Sequence, residues 1–215
     1  MKINSLAALL LSATVIIASS CQKEVDYVDL GGNNNPPGTG NPSNKSIIGN
    51  WKFVRMLFDM NINDKSDDGM LDIVTIMEGS FTSFNEKGTL KIEANKMTGN
   101  GIAYSVDTTF KASFYSNGSL DDEIEVPYVY DVPATNSSSQ YQKINDDSIA
   151  VQGGILDIDM PSGTTPIQPS GMRISWSGDT LLLTTRINKT ETTNAGGISS
   201  QTTYDLKQVV KLVRN

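Results

Sequence analysis

The closing segment Tyr204-Asp205-Leu206-Lys207-Gln208-Val209-Val210-Lys211-Leu212-Val213-Arg214 decides the fold class. Tyr204, Leu206, Val210 and Leu212 fall on one face of an extended chain, and Asp205, Lys207 and Lys211 on the other. A period of two is the signature of a β-strand, and an antiparallel sheet with one face on a core and one in water produces it.

The same alternation recurs upstream. Leu90 and Ile92 oppose Lys91 and Glu93, and Leu156, Ile158 and Met160 oppose Asp157 and Asp159. Turn residues separate these runs. Asn117-Gly118 is the strongest hairpin signal, because both residues tolerate positive φ. Asp146-Asp147 and Ser177-Gly178-Asp179 mark two further turns, and Phe84-Asn85-Glu86-Lys87-Gly88-Thr89-Leu90 reads as two strands joined at Gly88. Only Met70 to Met77 carries helical spacing, with Leu71, Val74 and Met77 on one side. The pattern predicts an all-β, antiparallel domain over 47–215 with about eight to ten strands, a barrel or alternatively a β-sandwich.

Ahead of that domain the composition changes. Gly31 to Ser46 reads Gly-Gly-Asn-Asn-Asn-Pro-Pro-Gly-Thr-Gly-Asn-Pro-Ser-Asn-Lys-Ser, with no apolar side chain beyond proline to bury. Residues 21–46 are therefore expected to be a flexible linker, which as a coil of about two dozen residues spans ~25 to 30 Å. Residues 1–20 carry Lys2 and the apolar runs Leu6 to Leu11 and Val15 to Ile17, a signal-peptide layout too short and too polar for a spanning helix. A sole cysteine, Cys21, closes that segment and rules out an intrachain disulfide.

The chain has 17 basic and 24 acidic side chains, a net charge of −7, which argues against nucleic acid as a partner. It contains no histidine, so His-based triads, His-ligated metals and His-ligated haem are excluded. Ser-Lys or paired-carboxylate chemistry remains in principle, yet no spacing singles out either, and the expectation is a protein that is not an enzyme.

Ala18-Ser19-Ser20-Cys21 resembles the bacterial lipobox, which implies a lipid thioether and acylation on Cys21 and hence a membrane partner. The other reading is an ordinary secreted protein with a buried or free thiol at Cys21. Gln22-Lys23-Glu24-Val25-Asp26 is similar to the export signal of Bacteroidetes surface lipoproteins, or is simply a solvated tether start.

Ile48-Gly49-Asn50-Trp51-Lys52-Phe53 resembles the Gly-x-Trp opening of lipocalins and other calycins. Phe84 to Thr89, Trp176-Ser177-Gly178-Asp179-Thr180-Leu181 and Val210 to Arg214 are similar to hairpins and an end found in Bacteroidetes lipocalin-like lipoproteins. The resemblance implies that Gly49 and Trp51 close one barrel end and that a cation crosses the Trp ring. Arg214 is the candidate, with Arg55 and Lys211 as rivals. It further implies an outer-membrane lipoprotein on the periplasmic face or cell surface. Gly99 and Gly101 within a strand and a long excursion from Gly153 to Gly171 depart from the family pattern.

Two functional expectations follow. In the first, the barrel holds a small apolar or amphipathic ligand, with Trp176, Tyr104, Tyr204 and Gln208 as lining residues and Thr184 and Arg186 as further polar groups among apolar strands. In the second, the barrel is filled with its own side chains, and its outer face or loops bind a glycan or partner protein. Asp121-Asp122-Glu123, Glu125, Tyr128 and Tyr130 form either a sugar platform or a hairpin with half-buried tyrosines. Asp64, Ser66 and Asp68, with Gly69, form half of a calcium loop or merely a carboxylate-rich turn, which Asp59, Asn61, Asn63 and Asp72 would enlarge; Thr75 stands where such a loop has its bidentate Glu. No other cofactor is expected, and no oligomeric state is implied.

Overall fold

The computed structural model describes residues 45–67, 70–152, 171–195 and 198–215. The expectations for the signal peptide, Cys21, the linker up to residue 44, Asp68, Gly69 and the strand at 156–160 lie outside the described residues.

Among the described residues, nine antiparallel strands make up a single sheet: β1 (Gly49–Asp67), β2 (Asp72–Thr82), β3 (Phe84–Ile92), β4 (Lys96–Ser116), β5 (Ser119–Asn145), β6 (Ser148–Gln152), β7 (Gly171–Ser177), β8 (Thr180–Ala195) and β9 (Ile198–Arg214). β1 pairs with β9 from Trp51↔Arg214 to Asp67↔Ser199, so the sheet closes on itself as a barrel. The strand count agrees with the sequence pattern, and closure decides against the sandwich.

β2 and β3 are halves of one stave. β2 pairs with the second half of β1 and β3 with the first four residues of the strand, and both pair with β4. The break falls at Ser83, which is 1% exposed. Its Oγ accepts the Met56 N–H at 2.8 Å and donates to Glu86 Oε1 at 2.7 Å, while its own N–H donates to the Met56 carbonyl at 2.8 Å. Close by, a register shift between Phe53 and Arg55 interrupts the β1–β9 ladder. Ser83 thus supplies the partner that the kinked backbone of Met56 would otherwise lack.

Two local expectations are corrected. Met70 to Met77 is not a helix: Asp72 onward is β2, with Val74 and Met77 on opposite faces and Leu71 outside the strand. The β-branched run Ile73-Val74-Thr75-Ile76 is hydrogen-bonded to β1 on one side and β4 on the other, and pairing on both sides outweighs the helical spacing. Phe84 to Leu90 is not a hairpin either, because β3 runs straight through Gly88. Gly88 has φ 97° at a bulge, where an added Cβ would lie 2.5 Å from the Gly101 carbonyl oxygen. A bulge and a turn both call for positive φ, so Gly alone does not tell them apart.

The other turns form as expected. Asn117 (φ 48°) and Gly118 (φ 79°) link β4 to β5, Asp146-Asp147 links β5 to β6, and Gly178-Asp179 links β7 to β8. Gly99 and Gly101 sit at a register shift of β4 against β5.

Directly paired residues share a face, and burial shows which face is inside. Trp51, Phe53, Met56, Phe58 and Met60 of β1 point inward and are at most 4% exposed. The outer face carries Asn50, Lys52, Asp59, Asn61 and Lys65 from the same strand, all exposed. Elsewhere it carries ion pairs such as Lys111–Glu123 at 2.7 Å and Arg186–Asp205 at 3.0 Å. A membrane-spanning barrel shows the reverse, with apolar side chains out; this barrel turns its charged face outward.

One end is plugged. The Trp51 and Trp176 rings pack at 5.7 Å, and the Trp51 Nε1–H donates to the Ile47 carbonyl at 2.8 Å. The Arg214 guanidinium lies over Trp51 with its carbon 5.0 Å from the ring centroid, and Arg214 Nη2 donates to the Ser46 carbonyl at 3.1 Å. Lys45 completes the plug, donating to the Gly178 carbonyl at 2.9 Å and pairing with Asp179 at 2.8 Å, 5.5 Å from the Trp176 centroid.

Candidate functional site: the upper inner face of the barrel

Moving away from the plug, the inward residues of β2, β1, β9 and β8 form successive rows fixed by strand register. The row Phe81, Phe58, Gln208 and Thr185 is buried throughout, at 4 to 8% exposure. In the next row Met60 and Leu206 are still buried, while Gly79 and Ile187 are partly exposed. Above them Met77, Ile62 and Tyr204 are partly exposed, and Lys189 is exposed. Above that, Thr75, Asp64, Thr202 and Glu191 form a polar row, and Ile73, Ser66, Ser200 and Thr193 follow it toward the rim.

The inner face therefore changes from a packed core to a half-open apolar wall and then to a polar rim. β5 continues the wall with Val126 and Tyr128, both half-buried. Tyr128 packs at 5.4 Å from Phe110 and 6.1 Å from Tyr130. Among the described residues the ring is incomplete at this height, because β6 and β7 reach only the lower parts of β5 and β8.

The rim is organised by Asp64, whose carboxylate accepts the Ser200 hydroxyl at 2.9 Å and the Thr202 hydroxyl at 3.3 Å. Lys189 and Glu191 form an ion pair at 2.5 Å on the inner face of β8. Burial raises the Tyr204 phenol above its ordinary pKa, and the nearby Glu191 and Asp64 carboxylates add to the shift. Tyr204 thus stays a neutral hydrogen-bond donor well into alkaline solution.

The residues expected from sequence are divided by the structure. Tyr204 lies in the half-open wall and Gln208 in the buried row two steps below it. Tyr104 is 5% exposed and packs edge-on to Phe53 at 6.0 Å, inside the filled part of the barrel. Trp176 belongs to the plug rather than to a mouth. Gly49, Trp51 and Arg214 meet at the closed end, whereas Arg55 and Lys211 sit elsewhere on their strands. Asp64 and Ser66 are part of β1, with Asp59, Asn61 and Asn63 on its opposite face, and Asp68 and Gly69 lie outside the described residues. Among the described residues no group of three acidic or thiol ligands converges on one point.

Thr184 and Arg186 face outward; Thr185 is the inward polar residue of β8. The run Leu181-Leu182-Leu183 leaves the phase of that strand ambiguous, which hid Thr185. Lys189, Glu191, Ser200 and Thr202 also escaped notice, since polar residues facing into a barrel break the alternation from which facing is read.

No family model matches the chain, and no curated protein matches it. Among solved structures it is similar to Ail, the attachment invasion locus protein of Yersinia pestis, at 6% identity over 77% of this chain and 99% of that chain, with a TM-score of 0.18. A superposition that poor carries no argument about function. The architecture itself defines the class: a closed antiparallel β-barrel with a plugged end and a polar rim.

Proposed function

We propose that the chain is a lipid-anchored envelope protein of lipocalin-like type that holds a small amphipathic ligand in the upper part of its barrel and does not transform it. The observation that carries this reading is the gradient along the inner face. Ile62, Met77, Val126, Ile187 and Tyr204 point inward yet stay partly exposed, directly above a row that is buried. Inward apolar surface left accessible in a barrel of this size suits one small guest, with its polar end among Asp64, Lys189 and Glu191.

The envelope address is supported by the signal-like segment and lipobox-like Ala18-Ser19-Ser20-Cys21, and places the protein in this reading at the outer membrane, on its periplasmic face or the cell surface. The lipocalin-like relationship is supported by Trp51 in the closed end with Arg214 across its ring. Native mass spectrometry after gentle extraction tests the ligand: a reproducible adduct removed by organic solvent is expected, and unliganded mass alone overturns the reading.

The filled lower barrel favours the second reading, a scaffold whose outer face or loops bind a glycan or partner protein. The same spectra discriminate, since a scaffold carries no small-molecule adduct.

A further inference from the structure

Gln208 and Thr185 are directly paired across β9 and β8, and both point into the barrel. Gln208 is 8% exposed and Thr185 is 5% exposed. Their neighbours in and around that row are Phe58, Phe81, Met56 and Leu206, all apolar. A primary amide has two donors and an acceptor oxygen. Among the described residues the Gln208 amide makes one hydrogen bond, from Nε2 to the thioether sulfur of Met56 at 2.9 Å. The Thr185 hydroxyl has no hydrogen-bond partner among them.

A thioether is a weak acceptor, and polar groups carried into an apolar interior without good partners are costly. An all-apolar pair such as Leu and Val at these two positions would pack the row with no such cost. Both side chains point inward two rows beneath the partly exposed Ile62, Met77 and Tyr204, so a molecule that enters from the open end as far as this row meets them as its polar groups. We infer that Gln208 and Thr185 form a polar floor that hydrogen-bonds an oxygen at the buried end of the ligand. The preferred guest is then an apolar alcohol or ketone rather than a plain hydrocarbon chain. This rests on the ligand-binding reading above and adds the chemistry of the guest's inner end.

The test uses the mature chain from Cys21, produced without lipid, and two probes of equal length, 1-octanol and n-octane. Each is titrated against the wild type and against the double variant Thr185→Val/Gln208→Met, whose side chains keep volume and lose the polar atoms. The expected result is octanol affinity about tenfold weaker in the variant, the scale of one or two hydrogen bonds lost, with octane affinity unchanged or improved. The unliganded variant should melt at or above the wild-type temperature, because a polar pair without good partners contributes nothing to the empty barrel. Equal octanol affinity in both proteins overturns the inference while leaving the binding reading intact. A lower melting temperature with an unchanged ratio of octanol to octane affinity would make the pair structural and overturns it too. No binding of either probe to the wild type overturns both.

Discussion

Arg214, one residue from the end of the chain, lies across the indole of Trp51 with its guanidinium carbon 5.0 Å from the ring centroid. The Trp ring is fully buried, so the cation caps an apolar surface rather than stacking in open water. Arg214→Ala is expected to lower unfolding free energy by about 1 kcal/mol, with Arg214→Lys intermediate, as measured by urea denaturation. An unchanged midpoint in Arg214→Ala would show that the plug holds without the cation.

Ser83 fastens the kink between β2 and β3 to the bulged backbone of β1. Ser83→Ala leaves the buried Met56 N–H without an acceptor and frees Glu86 Oε1, and it should cost about 1 to 3 kcal/mol. Hydrogen exchange at the Met56 amide checks the mechanism: it should accelerate more than the amides of neighbouring inward residues.

Tyr141 and Tyr204 both have phenols pushed above the ordinary value of 10.0 by burial, the latter with help from Glu191 and Asp64. A folded-state pKa raised above the unfolded one gives stability that is complete below about pH 10 and is lost as pH climbs through the folded value. In ultraviolet titration, Tyr141→Phe and Tyr204→Phe should each remove a phenolate that forms above the ordinary phenol range, together with part of a fall in melting temperature that sets in only above that pH. Tyr204→Phe should remove the part of that alkaline loss due to Tyr204.

Gly79 faces inward opposite Met60, and a Cβ there would stand 2.5 Å from Cδ1 of Phe110. Gly79→Ala is therefore expected to displace the Phe110 ring and destabilise by about 1 to 3 kcal/mol, the range of overpacked cores. Loss of Phe110–Tyr128 ring contacts in NMR spectra would accompany it.

Much of the barrel was readable before any coordinates. The closing strand, the Asn117-Gly118 hairpin and the Asp146-Asp147 and Gly178-Asp179 turns all carry local chemistry that survives in the fold. Long-range pairing defeated the rest. Met70 to Met77 looked helical because spacing ignores the strands on either side, and Gly88 looked like a turn because a bulge uses the same φ. The site was harder still. Tyr204 and Gln208 stand out as polar groups on an apolar face, but nothing in the local pattern distinguishes Lys189, Glu191, Ser200 and Thr202 from solvent-facing residues. Only the closure of β1 on β9 puts them around one opening.

Replacing Cys21 with Ala tests the proposed anchor. The variant should move from the membrane pellet to the carbonate-washed supernatant, and retention in the pellet would count against lipid at that position.

Lys45 gives the plug a second meaning. Its bonds to Gly178 and Asp179 fix the point where the chain enters the barrel, beside Trp176 and opposite the Asp64 rim. In the proposed reading, lipid on Cys21 would tether the barrel by the same end that Trp51 and Trp176 plug. A guest held in that reading would enter and leave at the end of the barrel opposite the tether.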